Sequence, residues 1–351
     1  MRVVQVHFGT DGGSERFFVN LVNELHRNGV EQAVLIRPRR AWRAAIDPGV
    51  EVHEGVFRRI SLSRFFLAAR FRRLLEAKRP DAIMAWMPRA CRFMPAWPHC
   101  PRIARLGDYP PRLDYFTNID RIICNTPGIV ERLRGLGCDK PIDVISNFTT
   151  IKMAPPVSRA SVTTPESAFV LLGVGRFVRI KGFHTMIEAL PGLPGAMVWL
   201  LGDGEERANL CRQAEELGVL DRVRFLGWHK NPAAYMAACD VVCLPSTHET
   251  LGNVILEAWA VGKPVIASRS KGPSWFMKNE RDGLLFDIED VAGLQTAVTR
   301  LQSSPSLTQQ IALGGAETLA RQFSKDSVTS AFMKVLGQRC MAEPTVVRGQ
   351  S

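Results

Sequence analysis

Residues 169–182 read Phe-Val-Leu-Leu-Gly-Val-Gly-Arg-Phe-Val-Arg-Ile-Lys-Gly, an apolar run that breaks at Gly175 and continues through Arg176 and Lys181 to Gly182. An apolar run of strand length, closed by glycine and followed by a helical pattern, reads as a buried parallel strand turning into a helix. The unit recurs outward in both directions. Towards the C-terminus, strand-like runs lie at 197–201, 223–226, 241–244 and 264–267, with helical patterns near 183–190, 205–217, 232–238, 252–261, 290–302 and 306–322. Towards the N-terminus they lie at 3–8, 32–37, 82–86, 102–106, 121–125 and 143–146, with a helical pattern at 15–28. Strands alternating with helices predict an α/β protein with doubly wound parallel sheets. The Pro, Ser and Thr-rich stretch Ala-Pro-Pro-Val-Ser-Arg-Ala-Ser-Val-Thr-Thr-Pro-Glu at 154–166 has no periodicity and reads as a break. The expected organisation is a first domain over 1–155, a linker over 156–166 and a second domain over 167–324. A last helix at about 325–340 is placed to cross back to the first domain.

The whole chain, at 351 residues with 46% hydrophobic and 23% charged, matches neither a disordered chain nor a polytopic membrane protein. No uninterrupted apolar run approaches the roughly 18 residues of a membrane span, and the N-terminus enters a strand without a long apolar signal region. A cytoplasmic protein is expected. The 8 cysteines contain no Cys-x-x-Cys pair and sit mostly in apolar segments, so reduced, buried thiols are expected. Cys239 and Cys243 have no second ligand pair nearby, and no zinc site is read from them.

The net charge of +11 is unevenly distributed, because residues 1–160 hold 26 Lys and Arg against 15 Asp and Glu while the remainder is balanced. Residues 57–79 concentrate it, with Arg58, Arg59, Arg64, Arg70, Arg72, Arg73, Lys78 and Arg79 against a single Glu76, interleaved with phenylalanines and leucines. Such a basic amphipathic helix can lie on an anionic inner-leaflet membrane surface, or it can pack its apolar side on its own sheet and leave a solvated arginine face. One helix can do both. Nucleic acid is not read as a partner, since no recognition motif or stacking platform accompanies the charge.

Several turns carry residues suited to chemistry. At Gly173-Val-Gly175-Arg176 and Lys181-Gly182, glycines let the backbone approach an anion while two cations supply the charge that a diphosphate needs. A dinucleotide fingerprint would want glycine at Val178 and an acidic residue about 20 positions on, where the nearest is Glu188, so hydride transfer is disfavoured. A second turn, Gly202-Asp-Gly204-Glu, follows the strand at 197–201. The segment His248-Glu249-Thr-Leu251-Gly252-Asn253 opens a helix that contains Glu257. Free N–H groups near 252 and 253 can receive a phosphate, and Glu249 and Glu257 can accept from sugar and ribose hydroxyls. At Thr10-Asp11-Gly12-Gly13-Ser14-Glu15 a glycine loop again joins a strand to a helix, with Asp11 or Ser14 as expected cap. It can press on a phosphate or serve packing alone.

Together these residues resemble glycosyltransferase family 4, over nearly the whole chain and most closely from about 168 to 290. The resemblance implies the GT-B fold, two Rossmann-like domains facing across a cleft. It implies a retaining, metal-independent transferase with no cofactor beyond a nucleotide diphosphate sugar donor. In it Arg176 and Lys181 hold the diphosphate, Glu249 the sugar and Glu257 the ribose, with Gly175, Leu251, Gly252 and Asn253 in the donor site. Backbone around Leu226, Gly227 and Trp228 lines the base pocket, and Gly12 and Gly13, with Glu15 behind them, face the donor. A donor phosphate oxygen takes the acceptor proton, so no enzymic nucleophile is required. Residues 102–109, 125–130 and 145–148 look like a subgroup of bacterial envelope-polysaccharide transferases, which implies a lipopolysaccharide core or related glycolipid or polysaccharide acceptor and makes Arg105 and Asp108 cleft candidates. A histidine that many relatives carry after the strand at 82–86 is absent here. A nucleotide-sugar epimerase of the same fold, an NAD-type oxidoreductase and a silent binding module are the alternatives.

Overall fold

The computed structural model describes residues 1–10, 12–56, 63–229 and 231–338, and the chain divides into two units, 1–146 with the segment from Asp326, and 147–325. In the first unit the elements are β1 (Arg2–His7), α1 (Gly13–Arg27), β2 (Glu31–Ile36), β3 (Glu51–Glu54), α2 (Ser63–Lys78), β4 (Ala82–Trp86), α3 (Met87–Cys91), β5 (Arg102–Leu106), β6 (Arg121–Cys124), α4 (Pro127–Gly135) and β7 (Ile142–Val144). The second unit runs β8 (Phe169–Val174), α5 (Phe183–Ala189), β9 (Ala196–Leu201), α6 (Arg207–Glu216), β10 (Val223–Gly227), α7 (Ala233–Ala238), β11 (Val241–Leu244), α8 (Asn253–Ala260), β12 (Val265–Ser268), α9 (Lys271–Phe276), β13 (Leu284–Phe286), α10 (Val291–Ser303) and α11 (Pro305–Gln322). The chain then returns to the first unit through α12 (Lys325–Leu336), whose Phe332 meets Phe17 of α1 at a ring distance of 6.1 Å.

Both sheets are parallel, ordered β3-β2-β1-β4-β5-β6-β7 and β10-β9-β8-β11-β12-β13. The central strands are covered on both faces, which is why β4, β9, β11 and β12 are buried throughout and read as unbroken apolar runs. Two edge strands, β3 and β13, escaped the sequence pattern. Glu51-Val-His-Glu54 of β3 is only half-buried, and β13 is three residues long. In each sheet the chain order reverses beside the first strand, between β1 and β4 and between β8 and β11, where ligands of doubly wound proteins bind.

Helix boundaries follow local chemistry. Asp290 caps α10 by accepting from Gly293 N–H at 2.9 Å, and Ser304 caps α11 ahead of Pro305. In α2, Leu67, Phe71 and Leu75 are buried at intervals of four, each contributing about 2 kcal/mol, while Phe66 is 76% exposed beside exposed Arg70, Arg72 and Arg73. Residues 57–62 of the basic segment lie outside the described residues. The stretch expected as a linker is fastened to the second unit. Arg159 donates to Ala238 O and to Asp240 Oδ2, each at 2.9 Å, and Trp199 Nε1 donates to Thr164 Oγ1 at 2.9 Å. Its proline and serine content produces irregular backbone held by side chains.

All seven described cysteines are free, and six are buried. Burial pushes the thiols of Cys124 and Cys239 up to about 12, so they stay protonated and inert. Among the described residues no helix is long and apolar enough to cross a membrane.

Candidate functional site

In the second unit the two glycine turns form one structure. Gly175 N–H donates to Leu201 O at 3.0 Å, Phe177 N–H to Asp203 O at 2.8 Å, and Glu206 N–H to Phe177 O at 2.9 Å. A Cβ on Gly202 would stand 1.9 Å from Gly175 O, so only glycine allows the loops this close. Arg176 is exposed between them and has no ion pair among the described residues.

Gly182 brings this structure against the loop after β11. Its φ is +69°, and a Cβ there would lie 2.0 Å from Pro245 O. Thr247 N–H donates to Ile180 O at 2.9 Å, which fixes the register of the two loops. The result places Lys181 Nζ 2.6 Å from Glu249 Oε2, with the side chains 22% and 15% exposed. The same oxygen accepts from Ser246 Oγ at 3.1 Å, and Glu249 O accepts from Gly272 N–H at 2.9 Å. The carboxylate is therefore held from both its backbone and its head. A group that favours an anion stands beside one that accepts from hydroxyls.

Helix α8 starts immediately after. Gly252 is its N-cap at φ +95° and no side chain caps the helix, so the N–H groups of the first turn and the positive end of the dipole are presented here. Asn253 Oδ1 accepts from Asn147 Nδ2 at 2.8 Å. Glu257 is buried one turn further along, four residues from Asn253 and thus on the same helix face. Leu251 packs its side chain in the core, leaving only its backbone to face a ligand. At the end of β10, Gly227 has φ +73° and bridges to Gly202, and the next residue, Trp228, is 61% exposed. His229 Nε2 lies 3.1 Å from Leu226 O and 3.0 Å from Tyr235 Oη.

In the first unit the loop after β1 is organised by His7. The ring is fully buried, packed at tilted or edge-on angles against Phe18, Trp42 and Trp86, and its Nδ1 accepts from Gly9 N–H at 3.0 Å. Nε2 lies 4.0 Å from Glu15 Oε1. Burial holds the pKa of His7 down to about 3, so the ring is neutral. Glu15 folds back over the loop, and a Cβ on Gly9 would stand 1.8 Å from its Oε1. Helix α1 takes Gly12 as N-cap without a side-chain cap. Ser14, expected to cap, is inside the first turn, and Asp11 lies outside the described residues.

Arg105, expected at a cleft, is instead 2% exposed. Its guanidinium sits 5.3, 5.9 and 5.7 Å from the rings of Phe17, Trp86 and Phe332 and donates to Leu106 O. Burial lowers its pKa to about 9. Aromatic faces accommodate the cation that the sequence had assigned to a cleft. Asp108 is exposed and accepts from Tyr109 N–H in a local turn. His7 and Ser246 were not singled out from sequence, and Asn147 was noted only within the stretch 145–148, with no site role. Ser246 had a signal, three residues ahead of Glu249 in the same loop, but a lone histidine at a strand end and an asparagine 106 positions from its partner had none. Among the described residues no group of three His, Cys, Asp or Glu is placed to hold a metal ion.

Residues 156–317 match the family model described as glycosyl transferases group 1, and residues 11–151 match that of glycosyltransferase family 4. The chain is 50% identical to the lipopolysaccharide core biosynthesis glycosyltransferase LpsD of Rhizobium meliloti (strain 1021), covering 95% of this chain and 97% of that one. It is 49% identical to LpsE of the same strain, covering 97% and 100%. Among solved structures, Anabaena Alr3699/HepE in complex with UDP and glucose superposes with a TM-score of 0.82 at 23% identity, covering 96% of this chain and 99% of that one.

Proposed function

The chain belongs to glycosyltransferase family 4, and from that premise we propose that it moves a hexosyl group from a nucleotide diphosphate sugar to a hydroxyl of a lipopolysaccharide core or related glycolipid acceptor. The observation that carries this reading is the Lys181–Glu249 pair at the switch point of the second sheet, beside the uncapped start of α8. A donor of this class joins a phosphate to a sugar through one oxygen, and the pair offers a cation for the first and a carboxylate for the hydroxyls of the second.

As the bond from the anomeric carbon to phosphate breaks, negative charge grows on the leaving diphosphate. Arg176, Lys181 and the α8 N–H groups then bind the transition state more tightly than the ground state. The acceptor oxygen bonds to the anomeric carbon on the face the diphosphate leaves, its proton passes to a departing phosphate oxygen, and configuration is retained. Glu249 orients the sugar. The exposed ring of Trp228 beside Gly227 supplies a stacking face for the base. This chemistry draws its cations from side chains and is metal-independent.

Thermal-shift screening against nucleotide diphosphate sugars, free nucleotides and NAD(P), with UDP-sugars first, tests the reading, because a ligand that binds only the native state raises the melting temperature. Stabilisation by one nucleotide sugar that is lost in Glu249→Ala is the expected result. Stabilisation by NAD(P) alone would overturn it. The reading also places the enzyme at the inner membrane face, supported by Arg70, Arg72 and Arg73 with Phe66 on the open side of α2. Sedimentation with phosphatidylglycerol vesicles, weakened in Phe66→Ser and absent with phosphatidylcholine, is expected; binding indifferent to lipid charge would refute it.

A further inference from the structure

The first unit carries a cluster of cations that the transfer chemistry above does not use. In the first sheet His7 of β1 stands in register with Ile36 of β2 on one side and Trp86 of β4 on the other. The chain leaves those neighbours through Arg37, Pro38, Arg39 and Arg40, and through Met87, Pro88 and Arg89. Both exits turn through non-glycine residues in the left-handed region, Arg39 at φ +58° and Met87 at φ +66°. The buried His7 ring then ties the exits together, with its centroid 5.7 Å from that of Trp42, two residues past Arg40, and 5.7 Å from that of Trp86, three residues before Arg89. Trp42 Nε1 donates to Thr10 O at 2.7 Å, which binds the same corner to the glycine loop ahead of α1.

The corner therefore assembles Arg37, Arg40 and Arg89 around the switch point of the sheet. None of the three has an ion pair among the described residues. Partial burial, and then the charges of Arg89 and Arg40, lower the pKa of Arg37, as expected where like charges lie close enough to repel. Other arginines of this unit do have carboxylate partners, as in Arg43 with Glu54 at 3.3 Å and Arg112 with Asp114 at 2.9 Å. Arg37 with two like charges near it and no carboxylate partner is stabilised by an anion that arrives with a ligand, and guanidinium forks suit phosphate and carboxylate oxygens.

We propose that Arg37, Arg40 and Arg89 bind a phosphate or carboxylate group carried by the acceptor carbohydrate, so that this enzyme selects an anionic acceptor. The assignment to the acceptor rests on the transferase reading, in which the donor diphosphate is met by Arg176 and Lys181 of the second unit. The anion site itself rests only on the geometry of the first.

The test uses the full chain and its R37Q/R40Q/R89Q variant, with circular dichroism to establish folding. Inorganic phosphate, compared with sodium chloride at equal ionic strength, is expected to raise the melting temperature of the wild type more than that of the variant. An equal rise in both would overturn the site whatever the reaction. The second arm measures transfer to a delipidated core oligosaccharide with its phosphates intact and after dephosphorylation by hydrofluoric acid. The wild type is expected to show an acceptor KM at least tenfold lower for the phosphorylated form. The variant loses that preference, while its donor KM and its acceptor-free donor hydrolysis stay within twofold. Because this acceptor has no acyl chains, the preference is independent of any lipid headgroup. A preference that survives the triple substitution, or a rise in donor KM instead, would overturn the acceptor assignment with the transferase reading intact. A phosphate response tied to the arginines in a protein that transfers no sugar would leave the anion site and remove the transferase reading.

Discussion

Replacing His7 by asparagine and following stability from pH 7 to pH 5 tests the organisation of the β1 loop. His7 is fully buried and its pKa is lowered by that burial from 6.5 to about 3. The unfolded chain takes the proton near pH 6.5, and the native ring refuses it until about pH 3. Stability is therefore complete above the unfolded pKa and falls as the pH drops below it. Each pH unit costs about 1.4 kcal/mol, which gives about 2 kcal/mol at pH 5. Asparagine keeps an acceptor near the position of Nδ1 for the Gly9 N–H and cannot titrate. Any packing loss it causes is independent of pH and cancels. His184, whose pKa is lowered first by burial, acts in the same direction and is present in both proteins. Urea unfolding at each pH, read at the transition that moves with the substitution, gives the difference for the unit concerned. The wild-type advantage over His7→Asn is expected to shrink by about 2 kcal/mol between pH 7 and pH 5. An advantage that grows instead would mean that His7 is protonated in the fold and paired with Glu15, 4.0 Å away, and would refute a neutral ring.

Lys181→Met should lower turnover about a hundredfold, the effect of removing one preorganised donor worth about 3 kcal/mol, while the melting temperature changes little because the pair is partly exposed; unchanged turnover in steady-state kinetics would remove Lys181 from the donor site. Gly182→Ala meets both a left-handed φ of +69° and a carbonyl 2.0 Å from the new Cβ, and it should cost about 2 kcal/mol in urea unfolding and abolish the donor-induced thermal shift. Arg105→Met fills the aromatic enclosure without a charge and is expected to hold the wild-type melting temperature, whereas Arg105→Ala leaves a cavity and should cost about 3 kcal/mol. Equal destabilisation by both would show that the charge itself is required.

The fold was legible where burial is two-sided. Runs such as Phe169–Val174 and Val241–Leu244 carry no polar position because helices cover both faces of the sheet, and they were placed at their observed limits. It was illegible at one edge, where β3 keeps Glu51, His53 and Glu54 half in water and its sequence resembles a loop. Charge misled in the same way. Arg105 reads as a cleft candidate because a buried guanidinium needs partners from distant positions, here Phe17, Trp86 and Phe332, and no spacing announces them. The second-unit site was legible because glycine spacing constrains it locally. Gly175, Gly182, Gly202 and Gly252 each occupy backbone that a side chain would strain or obstruct, so their pattern marks the turns before any contact is known. His7 had no such marker, since its role depends on Trp42 and Trp86 converging on one ring.

The two sheets share a strand order, so β1 corresponds to β8 and β4 to β11, and the loops at each switch point are equivalent in position. They are not equivalent in charge. After β8 and β11 stand Arg176, Lys181 and Glu249, all reachable from solvent. After β1 stand His7, kept neutral by burial, and a buried Glu15, which shape a glycine loop and the start of α1. Arg37, Arg40 and Arg89 stand just outside that loop, in the segment after β2 and on α3. In the proposed reaction the changing charge falls to the second unit, and the first offers N–H groups and positive charge. A division of this kind predicts where substitutions act: those after β8 and β11 should change turnover, and those after β2 and β4 should change which acceptor is used.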